Sequence, residues 1–403
     1  MPDTLTLLDR APAGFRRLAY RIASGHGVLG RAADAVRFRF TAEDIPELPP
    51  RGDTPVRLLI GPANSAGQGY LWARAIAETL PGVTAVALRE IGGDTYLPSV
   101  DVRVPAAVYQ RSAAWQDALE SYLEQQTHVI WESGLPLLGR RYGSDVREEL
   151  RRLGARGVSG ALLFHGSDIR PPFDHAAQSA WSPFRQTAGP TRALAETAAA
   201  NAALAADVGV PVFVSTPDLQ RWLPDSVWLP VVVDPSMWRL SDAPSTPAGP
   251  PVVVHAPSRR WIKGTDRIEP MLHRLSAEGV IAYEEVVGIR HASMPALYAG
   301  ADIVLDQFAL GSYGVAACEA MASGRLVMGH VDDFTRSQVR RQTGLELPIQ
   351  EATIDSLEAE LRRAAADPAE FADARAVGPA FVEAVHDGRR SAAAAAPFLG
   401  LSA

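Results

Sequence analysis

A short segment in the C-terminal half combines glycines with a single carboxylate. The turn GSYG, Gly311 to Gly314, follows the apolar run ADIVLDQF and precedes VAACEAMASG, a predicted helix that ends at Gly324. Gly311 and Gly314 expose backbone N–H groups at the start of this helix, where the helix dipole favours an anion. Glu319 lies more than one turn into the helix, and a buried carboxylate there needs hydrogen-bond donors such as sugar hydroxyls.

A basic cluster follows another apolar run. In HAPSRRWIKGTD the side chains of Arg259, Arg260 and Lys263 come directly after the predicted strand VVVHAPS. A guanidinium fork with a nearby ammonium group suits a diphosphate, whereas many charge clusters are only a solvated surface. Ligands of a parallel sheet bind beyond the carboxyl ends of its strands. The position of the cluster therefore favours phosphate binding.

A polar group follows a buried strand in the first half of the chain. In FHGSDIR the side chains of His165, Asp168 and Arg170 come after the run ALLF. Three polar groups at the carboxyl end of one strand favour a binding site. A histidine that only makes structural hydrogen bonds is the alternative.

A glycine-rich loop joins the first predicted strand to its helix. In GPANSAGQGY the spacing of Gly61, Gly67 and Gly69 matches neither the dinucleotide pattern G-x-G-x-x-G nor a Walker loop. Glycines permit close backbone approach to a ligand. Two interpretations stay open, a loop that closes over a ligand and a flexible connection between strand and helix.

These segments need a sheet to position them, and the chain provides alternating patterns. Six nearly continuous apolar runs, VRLLIG, VTAVAL, HVIWES, ALLFHGSD, PVFVST and VWLPVVV, predict strands covered on both faces. Segments of helical period separate them, and the alternation resumes after a proline-rich stretch. We predict an α/β protein with two Rossmann-like domains facing a cleft. The predicted divisions are a basic leader at 1–50, a first domain at 51–240, a linker at 241–251, a second domain at 252–380 and a terminal helix at 381–403.

Composition limits the classes of function. The chain has 403 residues, 47% of them hydrophobic, with one cysteine and a net charge of -7, which exclude a disulfide framework and give no general attraction for nucleic acid. We expect a cytoplasmic protein.

The leader is basic, and Phe15, Leu18 and Ile22 share one helical face, which predicts peripheral contact with an anionic membrane. A helix packed on the first domain is the alternative.

RRWIKGTD, followed by LYAGADIVLDQFALGSYGVAACEAMASGRLVM, resembles the donor-binding half of retaining glycosyltransferases of the GT-B fold, family four in the usual sequence classification. The resemblance implies that Arg260, or its neighbour Arg259, and Lys263 hold a donor diphosphate and take part in catalysis. It implies that Glu319 binds the ribose hydroxyls and that His165 lies near the reacting centre. It also implies a last helix that crosses back to the first domain.

The sequence departs from the family's signature of two glutamates separated by seven residues, because the first would fall on Gly311. The backbone amides of Gly311, Ser312, Tyr313 and Gly314 are expected to serve the donor instead. Asp306 or Gln307 then becomes the candidate to reach the transferred sugar. Further predicted sugar or acceptor contacts are Gly67, Gly69, Asp168 and Arg170.

The reaction implied is transfer of a sugar from a nucleotide-diphosphate-sugar to an acceptor hydroxyl, such as that of a glycan or glycolipid precursor, with retained configuration. No metal is expected, because the sequence contains no Asp-x-Asp motif and no His/carboxylate pair with ligand spacing. No other cofactor is expected. Two alternatives stay open, a nucleotide-sugar epimerase of the same fold and a non-catalytic nucleotide-sugar-binding subunit.

Overall fold

The computed structural model describes residues 40–92, 98–185, 189–238, 249–257, 259–286, 289 and 291–402. The predicted membrane contact of the leader rests on residues before 40 and so lies outside the described residues. Most of the predicted linker lies outside them too. Within the part of the chain that the structure describes, no helix is both long enough and apolar enough to cross a membrane.

The first domain contains a seven-stranded sheet whose neighbouring strands all run parallel. Its strands are β1 (Val56–Gly61), β2 (Val83–Ile91), β3 (Val102–Pro105), β4 (His128–Glu132), β5 (Ser159–Phe164), β6 (Val212–Val214) and β7 (Val227–Trp228), in the spatial order β3-β2-β1-β4-β5-β6-β7. Its helices are α1 (Gln68–Thr79), α2 (Ala106–Arg111), α3 (Ala113–Leu123), α4 (Val146–Gly154), α5 (Pro172–Gln178), α6 (Gly189–Val208) and α7 (Pro235–Trp238).

Burial on both faces explains the continuous apolar runs of this sheet. In β1, Leu58 and Ile60 belong to one apolar cluster, and Leu59 between them belongs to a second cluster on the opposite face. Helices therefore cover both faces, and the polar residues that follow the strands are left at the carboxyl edge of the sheet.

The second domain contains a five-stranded parallel sheet. Its strands are β8 (Val252–His255), β9 (Ala282–Glu285), β10 (Ile303–Leu305), β11 (Leu326–Gly329) and β12 (Gln350–Glu351), in the order β12-β11-β10-β8-β9. Its helices and those that follow are α8 (Arg260–Lys263), α9 (Thr265–Ala277), α10 (Met294–Ala299), α11 (Val315–Ala322), α12 (Asp333–Thr343), α13 (Leu357–Ala366), α14 (Ala372–Val385) and α15 (Arg389–Ala395). The predicted α/β architecture with two parallel-sheet domains is confirmed.

The end of the chain returns to the first domain. The Ser391 hydroxyl in α15 donates to the Pro230 carbonyl at 2.8 Å, and the Val233 N–H donates to the His386 carbonyl at 2.8 Å. Gly388 makes the turn with φ +99°, and a Cβ there would lie 2.5 Å from the Ala75 Cβ in α1. The predicted return helix therefore exists, and it begins after the change of direction at 386–388.

The run VWLPVVV is a strand only at Val227–Trp228, in contrast to the longer strand predicted. Its next N–H still pairs with β6, and the rest of its backbone binds mainly side chains. The Pro230 carbonyl accepts the Trp72 indole N–H at 2.7 Å, and both the N–H and the carbonyl of Val232 pair with the Gln68 amide. This segment thus anchors α1 and the returning helix.

Candidate active site

A cleft of about 820 Å³ lies where the carboxyl ends of the two sheets meet. Residues that follow β1, β4, β5 and β6 line one side, and residues that follow β8, β9 and β10 line the other. Ligands of open parallel sheets bind at such an edge. Eleven of the residues predicted from sequence line it: His165, Asp168, Arg170, Arg259, Lys263, Asp306, Gln307, Ser312, Tyr313, Gly314 and Glu319.

The structure separates the two adjacent arginines. The Arg260 guanidinium bonds the carboxylates of Glu269 at 2.6 Å, Asp266 at 3.2 Å and Glu285. The hydrogen bond that Arg260 donates to Glu269 is the main cause that raises the pKa of Arg260. Arg260 does not line the cleft, whereas Arg259 does, with its Nη1 3.4 Å from the Ser167 hydroxyl of the first domain. Arg259 is therefore the arginine of this pair that a ligand in the cleft would meet.

The same carboxylates belong to a group with metal-ligand spacing, and the Glu269–His273 pair within it was not identified from the sequence. Ligand atoms of Glu269, His273 and Glu285 lie within 4.8 Å of one another. The Arg260 guanidinium already bonds both glutamates, so it supplies the positive charge that this group needs. The group lies outside the residues that line the cleft.

Lys263 lies at the end of α8, where Gly264 takes φ +81° and ends the helix. Its ammonium group lies 3.0 Å from the Asp306 carboxylate, and the side chains of Lys263 and Asp306 are 18% and 4% exposed. The Lys263 carbonyl also accepts the Phe308 N–H at 2.9 Å, which joins α8 to the loop after β10. A cation and an anion thus face the cleft side by side.

Gln307 holds the loop that follows β10. Its Nε2 donates to the carbonyls of His330, at 2.7 Å, and Ser312, while its Oε1 accepts the Leu310 N–H at 2.7 Å and the Ala309 N–H at 3.2 Å. The amide therefore has its donors and its acceptor engaged within the protein. Of the two candidates for the sugar contact, Asp306 and Gln307, this engagement leaves Asp306 as the better one.

Gly311 shows why the first acid of the signature is absent. Its φ is +69°, and an added Cβ would lie 3.2 Å from the Asp332 Cβ. The Arg221 guanidinium of the first domain holds Asp332 at 2.6 Å. A side chain at 311 would meet both backbone strain and this fixed neighbour. Gly311 itself does not line the cleft.

The neighbouring Ser312 is bound by the first domain. Its hydroxyl donates to the Asp218 carboxylate at 2.6 Å, and the same carboxylate binds the Arg170 guanidinium at 2.5 Å. Burial would raise the pKa of Asp218, but Arg170 and the hydrogen bonds outweigh it and lower the pKa. Arg170 therefore acts at least partly through Asp218, which ties the loop after β10 to the first domain.

The N-terminus of α11 opens into the cleft. Gly314 is the N-cap without a side-chain hydrogen bond, and the next two residues also line the cleft. Tyr313 is buried, and its hydroxyl lies 3.3 Å from His386 Nε2. Glu319, one turn further along α11, is 5% exposed and lines the same cleft. The first N–H groups of the helix and the Glu319 carboxylate thus face one space.

On the first domain, His165 is bound by an acid that the sequence did not single out. Its Nε2 lies 3.0 Å from the carboxylate of Glu132, the last residue of β4, which is fully buried. Its ring also stacks on that of Trp72, with centroids 5.7 Å apart. Burial lowers the pKa of His165, but Glu132 and Asp168 outweigh it, and the pKa is raised. An acid at the end of the apolar run HVIWE is the signal that could have identified Glu132.

Asp168 shapes the turn that carries His165. Its carboxylate accepts the Gly166 N–H at 2.7 Å and the His165 N–H at 3.0 Å. The Asn201 amide of α6 holds the Asp168 carbonyl at 2.8 Å. Asp168 lines the cleft, and these bonds also give it a structural role in presenting His165.

The glycine-rich loop after β1 meets the cleft through Ser65 and Ala66, not through the two predicted glycines. Gly67 takes φ +78° in the turn. Gly69 lies against Asn64 and Glu132, because a Cβ there would be 3.2 Å and 3.3 Å from their side-chain oxygens. The glycines therefore allow a tight loop to pack beside Glu132.

Several solved structures share this two-domain fold. Sucrose-phosphate synthase from Thermosynechococcus elongatus is 15% identical, over 83% of this chain and 96% of that one, with a TM-score of 0.52. HepE from Anabaena, solved with UDP and glucose, is 13% identical, over 85% and 99%, with a TM-score of 0.53. A glycosyltransferase from Rickettsia africae is 11% identical, over 84% and 96%, with a TM-score of 0.51.

No protein-family model matches the chain, and no curated protein matches it. At these identities the structural likeness shows the fold, which is that of GT-B glycosyltransferases.

Proposed function

We propose that this protein is a glycosyltransferase that moves a sugar from a nucleotide-diphosphate-sugar to an acceptor hydroxyl, with retained configuration and without a metal. The observation that carries the proposal is one cleft in which Arg259, Lys263, the N-terminus of α11 and Glu319 face the polar turn around His165. The shared fold supports the class of reaction. The HepE structure contains UDP and glucose, which makes UDP the first nucleotide to test.

The second domain has the groups that a donor requires. Arg259, Lys263 and the first N–H groups of α11 would bind the diphosphate, whose negative charge grows as it leaves the sugar. Cations and helix dipoles that are already in place stabilise such charge without reorganisation. Glu319 would accept hydrogen bonds from the two ribose hydroxyls, since a carboxylate accepts bonds from adjacent donors.

The sugar would lie between the two domains. Gly311 provides no carboxylate there, and Gln307 is engaged in its own loop. Asp306 is the remaining acid beside Lys263, and it would bind sugar hydroxyls once the diphosphate draws the ammonium group away. The acceptor would enter along Ser65, Ser133 and Thr216 of the first domain. The departing phosphate would take the acceptor proton on the same face of the sugar.

The first test is thermal stabilisation by UDP, GDP, ADP and CMP. A nucleotide at about 100 times its dissociation constant adds about 2.7 kcal/mol to the free energy of unfolding, a shift that is easily measured. We expect one diphosphate to stabilise the protein more than the others. No stabilisation by any of the four would contradict the proposal.

The second test follows the sugar by NMR with the matching nucleotide-sugar. Release of the sugar, and its transfer to a panel of hydroxyl acceptors in the donor's anomeric configuration, is the expected result. An epimerised donor without transfer would identify an epimerase. Gly311 in place of an acid favours a second candidate, a non-catalytic nucleotide-sugar-binding subunit. Tight donor binding with neither hydrolysis nor transfer would identify that candidate.

A further inference from the structure

A single buried carboxylate joins two parts of the first domain at the cleft. Glu132 has no exposed surface. One of its oxygens lies 3.0 Å from His165 Nε2, and the other accepts the Asn64 N–H of the glycine-rich loop at 2.8 Å. Through that loop, Glu132 is connected to Ser65 and Ala66, which line the cleft. The histidine and the loop are thus held by the same group.

The Glu132 contact fixes the tautomer of His165. An ionised carboxylate only accepts hydrogen bonds, so the proton shared with Glu132 belongs to Nε2 of the imidazole. Nδ1 is then the ring nitrogen left for a ligand in the cleft that His165 lines. A neutral ring offers a lone pair at Nδ1, and a protonated ring offers an N–H donor with positive charge.

The charges around the ring favour the protonated form. Glu132 faces it from β4, and Asp168 faces it from its own turn. The Trp72 ring of α1 stacks on it, and Arg259 and Arg170 approach the same turn through Ser167 and Gly166. Both arginines are directed elsewhere, Arg170 to Asp218 and Arg259 to the cleft. The contact at 3.0 Å is with a carboxylate, and it dominates.

We propose that Glu132 is a positioning residue that keeps His165 protonated, so that Nδ1–H gives the first domain a positively charged donor directed at the leaving diphosphate. The assignment of the diphosphate rests on the proposed function. The coupling between Glu132 and His165 does not. In this arrangement Glu132 never touches substrate and acts through His165 and through the loop that contains Asn64.

The first test needs no substrate. Long-range proton–nitrogen NMR of protein labelled with nitrogen-15 histidine reports the tautomer and the pKa of each ring, and His165→Asn identifies the signal. We expect a proton on Nε2 throughout and a pKa for His165 above about 6.5, the value of a free histidine. A proton on Nδ1 in the neutral ring, or a pKa at or below that value, would overturn the proposal.

The second test is Glu132→Gln, with Glu149→Gln as its matched control. Glu149 is another buried carboxylate of this domain, which accepts the Trp131 indole N–H at 2.8 Å and does not contact His165. Both of its oxygens accept N–H groups of the protein, so Glu149→Gln disturbs a buried carboxylate of this domain much as Glu132→Gln does. In Glu132→Gln, the pKa of His165 should fall below about 6.5, because burial is then opposed only by Asp168. In Glu149→Gln the pKa of His165 should be the same as in the wild type.

A pKa of His165 that is equal in wild type and Glu132→Gln would show that Glu132 is merely structural. If that variant does not fold, the wild-type titration still decides. UDP added to the wild type should raise the pKa of His165 further, because a diphosphate favours a nearby cation. UDP that binds without moving it would overturn the assignment to the diphosphate. No UDP binding at all would contradict the UDP-based proposed function and leave the coupling standing.

Discussion

The two domains present similar ion pairs to the cleft with different chemistry. On the first domain Glu132 meets His165 at 3.0 Å, and on the second Asp306 meets Lys263 at 3.0 Å. The acid is buried in both pairs, at 0% and 4% exposure. The cations differ, because an unperturbed lysine stays charged up to about pH 10 whereas histidine titrates near neutrality.

This difference suggests different tasks for the two sides of the cleft. A phosphate can draw the Lys263 ammonium group away from Asp306, because a lysine is a compact charge on a flexible stem. His165 needs its acid, since burial without Glu132 favours the neutral ring. The second domain would therefore bind the charge that the diphosphate already has in the donor. The first domain would respond to the additional negative charge that develops as the diphosphate leaves the sugar.

The largest effect should come from Lys263→Ala. We expect nucleoside diphosphates to bind more weakly by at least about 1.5–3 kcal/mol, the contribution of a charge-assisted hydrogen bond. The loss should be greater because Asp306 is left buried, unpaired and close to the phosphates. Calorimetric titration with UDP and uridine measures it, and uridine should be affected far less. An equal loss for both ligands would mean that Lys263 does not meet phosphate.

The double variant Lys263→Ala with Asp306→Asn separates binding from stability. Without the unpaired carboxylate, its free energy of unfolding should recover towards that of the wild type. Its affinity for diphosphate should recover only in part, because the ammonium group is still missing. Full recovery of affinity would show that Asp306 repulsion, and not Lys263 attraction, explains the single variant.

The next effect tests Glu319, which shares the cleft with Lys263. Glu319→Gln should lose affinity for UDP by about 1.5–3 kcal/mol, since an amide cannot accept two hydroxyl bonds at once. Its melting temperature should change little. A sharper measurement uses 2′-deoxy-UDP. The wild type should bind it more weakly than UDP, whereas Glu319→Gln should bind the two nucleotides equally. A protein that melts earlier but binds UDP normally would make Glu319 a structural acid.

Much of the fold follows from local pattern. The run VRLLIG gives β1 at Val56–Gly61, because a strand buried on both faces has no room for polar side chains. The edge strands β3 and β12 cannot be predicted from apolar runs, since they are only four and two residues long. The run VWLPVVV has the pattern of a long strand but forms only a short one. Beyond Trp228 its backbone binds the side chains of Trp72 and Gln68.

The candidate site was less predictable, because side-chain direction is a tertiary property. Arg259 and Arg260 are adjacent in sequence, yet three carboxylates from α9 and β9 bind only Arg260. In the sequence Glu132 is only the last residue of a predicted strand. Its contact with His165 depends on the pairing of β4 with β5, which brings the two side chains together. The sequence shows that Gly311 replaces the first glutamate of the signature. It does not show the reason, because Asp332, against which a side chain at 311 would pack, lies in a later part of the chain.

The adjacent arginines provide a matched pair of variants with a smaller expected effect. Arg259→Ala should weaken UDP binding by about 1.5 kcal/mol, the lower end for a charge-assisted bond, because this side chain is exposed at the cleft. Arg260→Ala should leave UDP affinity unchanged and lower the melting temperature, because three carboxylates lose their shared cation. Loss of affinity in Arg260→Ala alone would reverse the assignment.

The smallest effect returns to the two ion pairs and asks which one responds to pH. Because the pKa of His165 is raised in the folded protein, its pair stabilises fully below the unfolded value of about 6.5 and is lost as pH rises through the folded pKa. The destabilisation caused by His165→Asn should therefore be larger at about pH 6 than at about pH 9. Denaturant unfolding of wild type and variant across this range measures the difference, and other titrating groups cancel in it. Lys263→Ala is the comparison, and its destabilisation should not follow the titration of a histidine. A constant difference for His165→Asn would mean that folding leaves the pKa of His165 unchanged, and a smaller destabilisation at about pH 6 than at about pH 9 would mean that the buried ring stays neutral. Either result would contradict the role assigned to Glu132.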